Sequence, residues 1–436
     1  MSPRSHRTSN GDAGASSSPS VGRTGPSAGP ITTYRGHILT PSGDSWAHWP
    51  DGRLDVAGGR IVSAGAWRRT SHYIDLRPHF LLPGLVDTHA HVPQLPVCGV
   101  HPESLLEWLR KWTFPLERRF TGSRARDLSR RFMQEMLAQG TTTAGLYTSA
   151  WPDSVHACFE AAEAVGIHAW IGPPLMDDGA YRAVTTRKVV DEAWRLAELD
   201  RPRLRFAVTP RFALSCTREL LRECGRLARE KQLPIQTHLS EQQAECELVR
   251  QRFGQEYLDV YDDAGLLGPH SLFAHAIWLS ARDWRRLAGS AIAHCPTSNV
   301  FLGSGVMNWD RAQAARVGFG SDVGAGPDLS IFRVARMAWT VHSLKGNTLS
   351  AETVLWTATM GGARALGFED VGSLEPGKAA DFIVLDAAHI VPPGAPTAES
   401  TEDLLSRVLH RAGRSAVMRV YVAGALRHGR GVKPES

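Results

Sequence analysis

A chain of 436 residues, 42% hydrophobic and 21% charged, is long enough for one large core with a smaller accessory unit, which admits an enzyme. Its formal charge of +5 rests on 49 basic and 44 acidic residues, and 43 of the basic ones are arginines scattered among acids, as in "EWLRKW" and "DEAWRLAELDR". That pattern reads as a solvated surface and excludes a nucleic-acid-binding stripe. Six cysteines with no C-x-x-C pair, in a chain without a secretory leader, point to a reducing cytoplasm. No apolar run approaches the roughly 18 residues that a membrane span needs.

Residues 1–30, rich in Ser, Gly, Pro and Ala, are expected to be a disordered tail. From Ile31, "ITTYRGHILT" and "GRLDVAGGRIVSAGAW" read as short strands between Gly-rich turns, and "GSLEPGKAADFIVLD" and "AVMRVYVAGALRHGR" look the same near the other end. The expected arrangement is a small β-sandwich domain built from both chain ends, residues 31–80 and 368–432. Between them, residues 81–367 alternate apolar β-rich runs with helical stretches such as "SLLEWLRKW", "SVHACFEAAEAVG", "TRELLRECGRLAREKQ" and "ARDWRRLAGS". Eight strand candidates stand in order: "FLLPGLVDTHA", "TTTAGLYT", "HAWIGPP", "LRFAVTPRF", "LPIQTHL", "SLFAHA", "SAIAHCP" and "VGFGSDV". Their count and spacing predict an α/β fold of the (β/α)8 TIM-barrel type. A doubly wound open sheet would hold several of the same strands, but no Gly-rich phosphate loop follows the first one.

In such a barrel the last residues of each strand face the active-site mouth. Strand one ends in "VDTHAHVPQ", where His89 and His91 share one face and could both reach one metal ion. Strand five ends in His238, strand six in His275 and strand eight in Asp322. Imidazoles and a carboxylate converging there form a shell suited to zinc, or alternatively ferrous iron, with a position left for water. Taken singly, each is as readily a core or capping residue; it is their joint arrival at one height that argues for a site. Strand four delivers Arg211, which cannot ligate or bridge metals, so one metal per chain is expected. Its planar donor fork suits a flat ring carrying acceptors, the Gln94 amide both donates and accepts, and Phe212 is placed to cover a ring face. Glu241 in "THLSE" is positioned either to move protons between water and a substrate nitrogen or to cap a helix. His294 in "AIAHCP" receives no role.

The segments "PGLVDTHAHVPQ", "LLEWLRKWTFPLERRF", "GTTTAGLYT", "VTPRFALSCT", "QTHLSEQQAE", "IAHCPTSNVFLGSG" and "GSDVGAG" together resemble the guanine deaminases of the amidohydrolase superfamily. The resemblance implies a mononuclear zinc barrel, homodimeric, that converts the purine guanine to xanthine and ammonia. It implies His89, His91, His238 and Asp322 as zinc ligands, Gln94, Arg211 and Phe212 as purine contacts, and Glu241, His275 and Asp322 as catalytic groups. There are departures. "MDDGA" stands where many members have Arg-Asn after Met-Asp, "FAHA" replaces "FAHG", and "KWTFP" replaces Tyr-Thr-Phe-Pro. Other aminated rings, such as 8-oxoguanine, pterins or triazines, therefore stay open as substrates, as does a non-catalytic binding barrel.

Overall fold

The computed structural model describes residues 29–100, 104–178, 185–395 and 400–430. Of the expected tail, all but Gly29 and Pro30 lies outside the described residues. Four strands open the chain: β1 (Thr32–Ser42), β2 (Ser45–Ala57), β3 (Arg60–Ala66) and β4 (Ile74–Pro83). The middle carries β5 (Leu85–His91), β6 (Thr141–Tyr147), β7 (His168–Gly172), β8 (Leu204–Phe206), β9 (Ile235–Leu239), β10 (Ser271–His275), β11 (Ala291–His294) and β12 (Arg316–Phe319). The last three are β13 (Phe382–Leu385), β14 (Val417–Val422) and β15 (Ala425–Gly429).

The result is a mixed α/β fold with three sheets. One has the order β15-β14-β13-β4-β1-β2-β3, so strands from the two ends of the chain lie side by side where β4 pairs with β13. The other two are parallel, β5-β6-β7-β8 and β9-β10-β11-β12. Every residue of β5, β6, β7, β10 and β11 is buried, as expected where helices cover a parallel sheet. The two parallel sheets approach each other at both edges. Val208, just past β8, bridges to Ile235 on β9. Beyond β12 the Asp322 amide donates to the His89 carbonyl at 2.8 Å, and the His91 amide donates to the Val323 carbonyl at 2.9 Å. This pairing fits a barrel.

Local chemistry explains the element boundaries. The helix Arg218–Lys231 starts at Thr217, whose hydroxyl accepts from the Leu220 amide, and the helix Pro152–Val165 stops at Gly166 with φ +77°. The first strand candidate, residues 80–90, is in fact two strands in different sheets, parted at Gly84. A Cβ there would lie 2.0 Å from the Thr142 hydroxyl, so the chain turns from one sheet into the next only with glycine. The stretch after Ser104 is also less regular than its sequence suggests. A helix Leu105–Trp108 widens into a π-turn, Leu109–Thr113, before resuming over Phe114–Arg119. Pro115 in this stretch has no N–H to donate, and the segment brings Glu117 to a buried position.

Candidate active site

The strand ends meet. His89 Nε2 and His91 Nε2 stand 3.4 and 3.3 Å from Asp322 Oδ1, and His238 Nε2 is 3.2 Å from His91 Nε2. One ligand atom each from His89, His238, His275 and Asp322 lies within 4.8 Å of the other three. His91 falls outside that tightest set yet touches two of its members, so five side chains crowd one point. Their orientations are set from behind. His238 Nδ1–H donates to the Arg211 carbonyl at 2.7 Å and His275 Nδ1–H to Asn299 Oδ1 at 2.8 Å, which turns the Nε2 lone pair of each ring inward. Asp87 takes the Ser321 amide and hydroxyl at 2.9 and 2.5 Å and so fixes the residue before Asp322. Behind His89, Gly320 leaves room that a side chain would take: its Cβ would lie 2.8 Å from His89 Cβ.

This donor set fits a divalent cation. Burial pushes the His91 ring down to about 3 and displaces His89 and His238 downward as well, so all three are neutral. Burial raises the Asp322 carboxyl, but the contacts of His89 and His91 outweigh it and hold the group well below the usual carboxylate range. Unprotonated imidazole nitrogens grouped with an ionised carboxylate offer a cation both lone pairs and negative charge. His89 Nε2 and His275 Nε2 are buried with no hydrogen-bond partner among the described residues, which a metal bond would satisfy. The backbone is strained at the same place. His275 has φ +73°, Ala276 +50° and Asp322 +48°. At Ala276, the alanine of "FAHA" adopts a left-handed conformation in which the glycine of "FAHG" would be unstrained.

Glu241 is buried beside the cluster, with Oε2 3.6 Å from His275 Nε2 and Oε1 accepting from the Ser304 hydroxyl at 3.0 Å. Burial, reinforced by the charge of Asp322, pushes its carboxyl up to about 8. It does not cap the helix Gln243–Phe253; Glu245 does. Glu245 accepts the amides of Glu241 and Gln242 at 3.1 and 3.3 Å and the Tyr257 hydroxyl at 2.5 Å, and is itself pushed up to about 7, chiefly by burial. Glu241 is thereby left unused by secondary structure.

A small cavity opens beside these groups, with His91, His238, Asp322 and Glu241 on its wall. Gln94, Arg211 and Phe212 line it too, next to Leu105, Trp108 and Leu302. Arg211 is buried, and its Nη1 donates to both oxygens of Glu117 at 2.8 and 2.6 Å while the Phe114 ring lies 5.3 Å from its guanidinium carbon. Gln94 Nε2 donates to the same Glu117 at 3.1 Å, and Gln94 Oε1 accepts the Gly324 amide at 3.3 Å. All nine site residues expected from sequence therefore converge, with His89 and His275 joining through Asp322. Glu117 and Glu245 were missed. Glu117 stands in the quoted "LLEWLRKWTFPLERRF" segment but had no visible partner, and Glu245 is recognisable only as the third residue after an N-cap at Gln242. His294 is elsewhere: its Nε2 faces His342 Nε2 at 3.0 Å, among Trp309 and Phe319. In "MDDGA", Asp177 accepts from Thr217 and Thr186 and Asp178 pairs with Arg252, while Gly179 and Ala180 lie outside the described residues.

Metal-type donors at the ends of parallel strands, beside a carboxylate and a cavity lined by polar and apolar side chains, define a hydrolase of the amidohydrolase type. The chain belongs to the amidohydrolase family, whose description matches residues 80–425. It is 38% identical over 356 residues to the guanine deaminase of Escherichia coli K12, covering 77% of this chain and 81% of that one. A crystal structure of guanine deaminase from C. acetobutylicum with guanine bound in the active site superposes with a TM-score of 0.84 at 27% identity, covering 91% of this chain and all of the other. A zinc-bound adenosine deaminase from Xanthomonas campestris gives a TM-score of 0.83 at 25% identity, covering 93% and 94% of the two chains.

Proposed function

We propose that this chain deaminates guanine hydrolytically, releasing xanthine and ammonia. The observation that carries the reading is the placement of Glu241 between the histidine–aspartate cluster and a cavity also lined by Gln94, Arg211 and Phe212. The likeness to guanine deaminases over most of the chain supports it. We read the two parallel sheets as one closed eight-stranded barrel over residues 81–367, and the sheet shared by 31–80 and 368–432 as the accessory β-sandwich domain. We also retain a homodimer in the cytoplasm. No helix of the described residues is long and apolar enough to cross a membrane.

His89, His91, His238 and Asp322 would hold one zinc ion, with ferrous iron as the alternative. When bound, it supplies Lewis-acid chemistry that makes water a nucleophile at neutral pH. Arg211 and Gln94 bind the purine by its edge and Phe212 packs on it, which brings C2 to the water. Glu241 takes the water's proton as the oxygen bonds to C2, and delivers it to ring N3. It then takes the remaining proton from the new C2 hydroxyl and passes it to the exocyclic nitrogen, so that the C2 oxo group forms as the C2–N bond breaks and ammonia leaves. His275 and Asp322 hold the water by hydrogen bonds during the attack. The test is ammonia release across guanine, 8-oxoguanine, adenine, cytosine, a pterin and ammeline. Turnover of guanine above the rest is expected, and a pterin or triazine in first place would overturn the assignment.

A further inference from the structure

Resting on that reading, we propose that Glu117 is the positioning residue that makes the cavity select a ring edge with an oxo group beside an N–H. Glu117 is 4% exposed and holds two cavity side chains at once, Arg211 through both carboxylate oxygens and Gln94 through Oε1. A carboxylate ionised beside a guanidinium only accepts hydrogen bonds, so the Gln94 nitrogen must be the end that faces it. At the other end, the Gly324 amide only donates and requires the Gln94 oxygen. Between an obligate acceptor and an obligate donor the amide has one orientation, and its oxygen keeps a second lone pair for a ligand. The guanidinium is fixed just as firmly. Glu117 occupies Nη1, and Phe114 lies over the plane, so Arg211 meets the ligand as a donor only.

The cavity therefore offers a donor from Arg211 and an acceptor from Gln94, held on one shared carboxylate. Guanine's six-membered ring presents the complement, with its oxo oxygen accepting and the neighbouring ring N–H donating. An amino group in place of the oxo group, with a bare ring nitrogen beside it, reverses both and leaves two buried protein groups unpaired. Such mismatches discriminate strongly, up to roughly 10⁴-fold where a site is built to hydrogen-bond a polar group.

The experiment compares kcat and KM for guanine and 2,6-diaminopurine, which differ at that edge and share the amino group at C2, in the wild type, Glu117→Gln and Glu117→Asp. A glutamine at 117 donates as well as accepts, so it removes one of the two constraints on Gln94, leaving that of the Gly324 amide, and it no longer neutralises Arg211. In Glu117→Gln we expect kcat/KM for guanine to fall at least thirtyfold, mainly through KM, with less than a threefold change for 2,6-diaminopurine. Glu117→Asp keeps the charge and should retain an intermediate preference, which keeps the test decisive if the glutamine variant folds poorly. Equal losses on both substrates would show a merely structural role and overturn the inference. So would unchanged guanine kinetics, or a wild type with no preference between the two. A wild type inactive on guanine would instead overturn the function on which the inference rests.

Discussion

Replacing Glu241 with glutamine separates the proposed chemistry from the fold. The substitution keeps the side chain's shape and an acceptor for the Ser304 hydroxyl, and it touches no proposed metal ligand directly. A general acid-base group contributes about 10² to 10⁴ in rate, and one carboxylate here serves both the attack and the departure of ammonia. A loss of about 10³ in kcat is expected, equivalent to about 4 kcal/mol of barrier. The structure adds a second magnitude. Burial and Asp322 raise this carboxyl from 4.5 to about 8. At about 1.4 kcal/mol per pKa unit, ionising it in the folded, metal-free protein costs roughly 5 kcal/mol more than in the unfolded chain. Because the folded value lies above the unfolded one, this group's share of stability is intact below pH 4.5 and is lost as pH rises toward 8. The variant carries no such group. Ammonia-release kinetics with metal stoichiometry, and thermal melts of metal-free protein at pH 5 and pH 8, read both effects. Metal retained with less than a tenfold fall in kcat would show that the proton moves through another group. A Tm difference between variant and wild type that does not shift in the variant's favour from pH 5 to pH 8 would show that the carboxyl is not held protonated.

Arg211→Lys should lower kcat/KM on guanine by about 10² while leaving metal content unchanged, since a point charge cannot reproduce a planar fork; unchanged kinetics would remove Arg211 from the substrate site. Elemental analysis should find one zinc or iron per chain, with His91→Ala losing it and His275→Ala retaining it. The reverse result would exchange the two residues' roles, in keeping with the tighter grouping around His275. The His37 ring, packed on Phe80 and against His48, is pushed down to about 4 by burial. Below pH 6.5 the unfolded chain thus binds a proton that the folded one refuses, and Tm should fall between pH 7 and pH 4.5. His37→Asn should reduce the slope of that fall, and an unaltered slope would acquit the pair.

What could be read from sequence depended on whether the signal was carried within one element. The eight parallel strands announced themselves as apolar runs, and His89, His238, His275 and Asp322 followed from lying near or just past the end of each run. Gly84 hid the change of sheet because Pro83 and Leu85 look alike in an apolar string, and only the approach of Thr142 shows why the chain turns there. Glu117 was illegible for a different reason. Its meaning lies in Arg211 and Gln94, which are distant along the chain, and in a π-turn that helical periodicity does not predict. Glu241 could be read from sequence either as a proton carrier or as a helix cap, and only the amides that Glu245 accepts, four residues on, show where the cap lies.

The pairing of β4 with β13 bears on how the molecule comes into being on the ribosome. Gly84 alone separates β4 from the strand that carries His89 and His91, and its amide donates to the Asp381 carbonyl at 3.0 Å. β13 in turn is flanked by β14. The strand bearing the first two histidines is thus moored to a segment that is translated only after every other part of the site. During synthesis the edge of β4 waits unpaired, a surface open to wrong partners until β13 emerges. Nascent chains stopped short of β13 would contain every residue of the site yet lack the mooring of its first strand, so activity reports the arrival of the far end of the polypeptide.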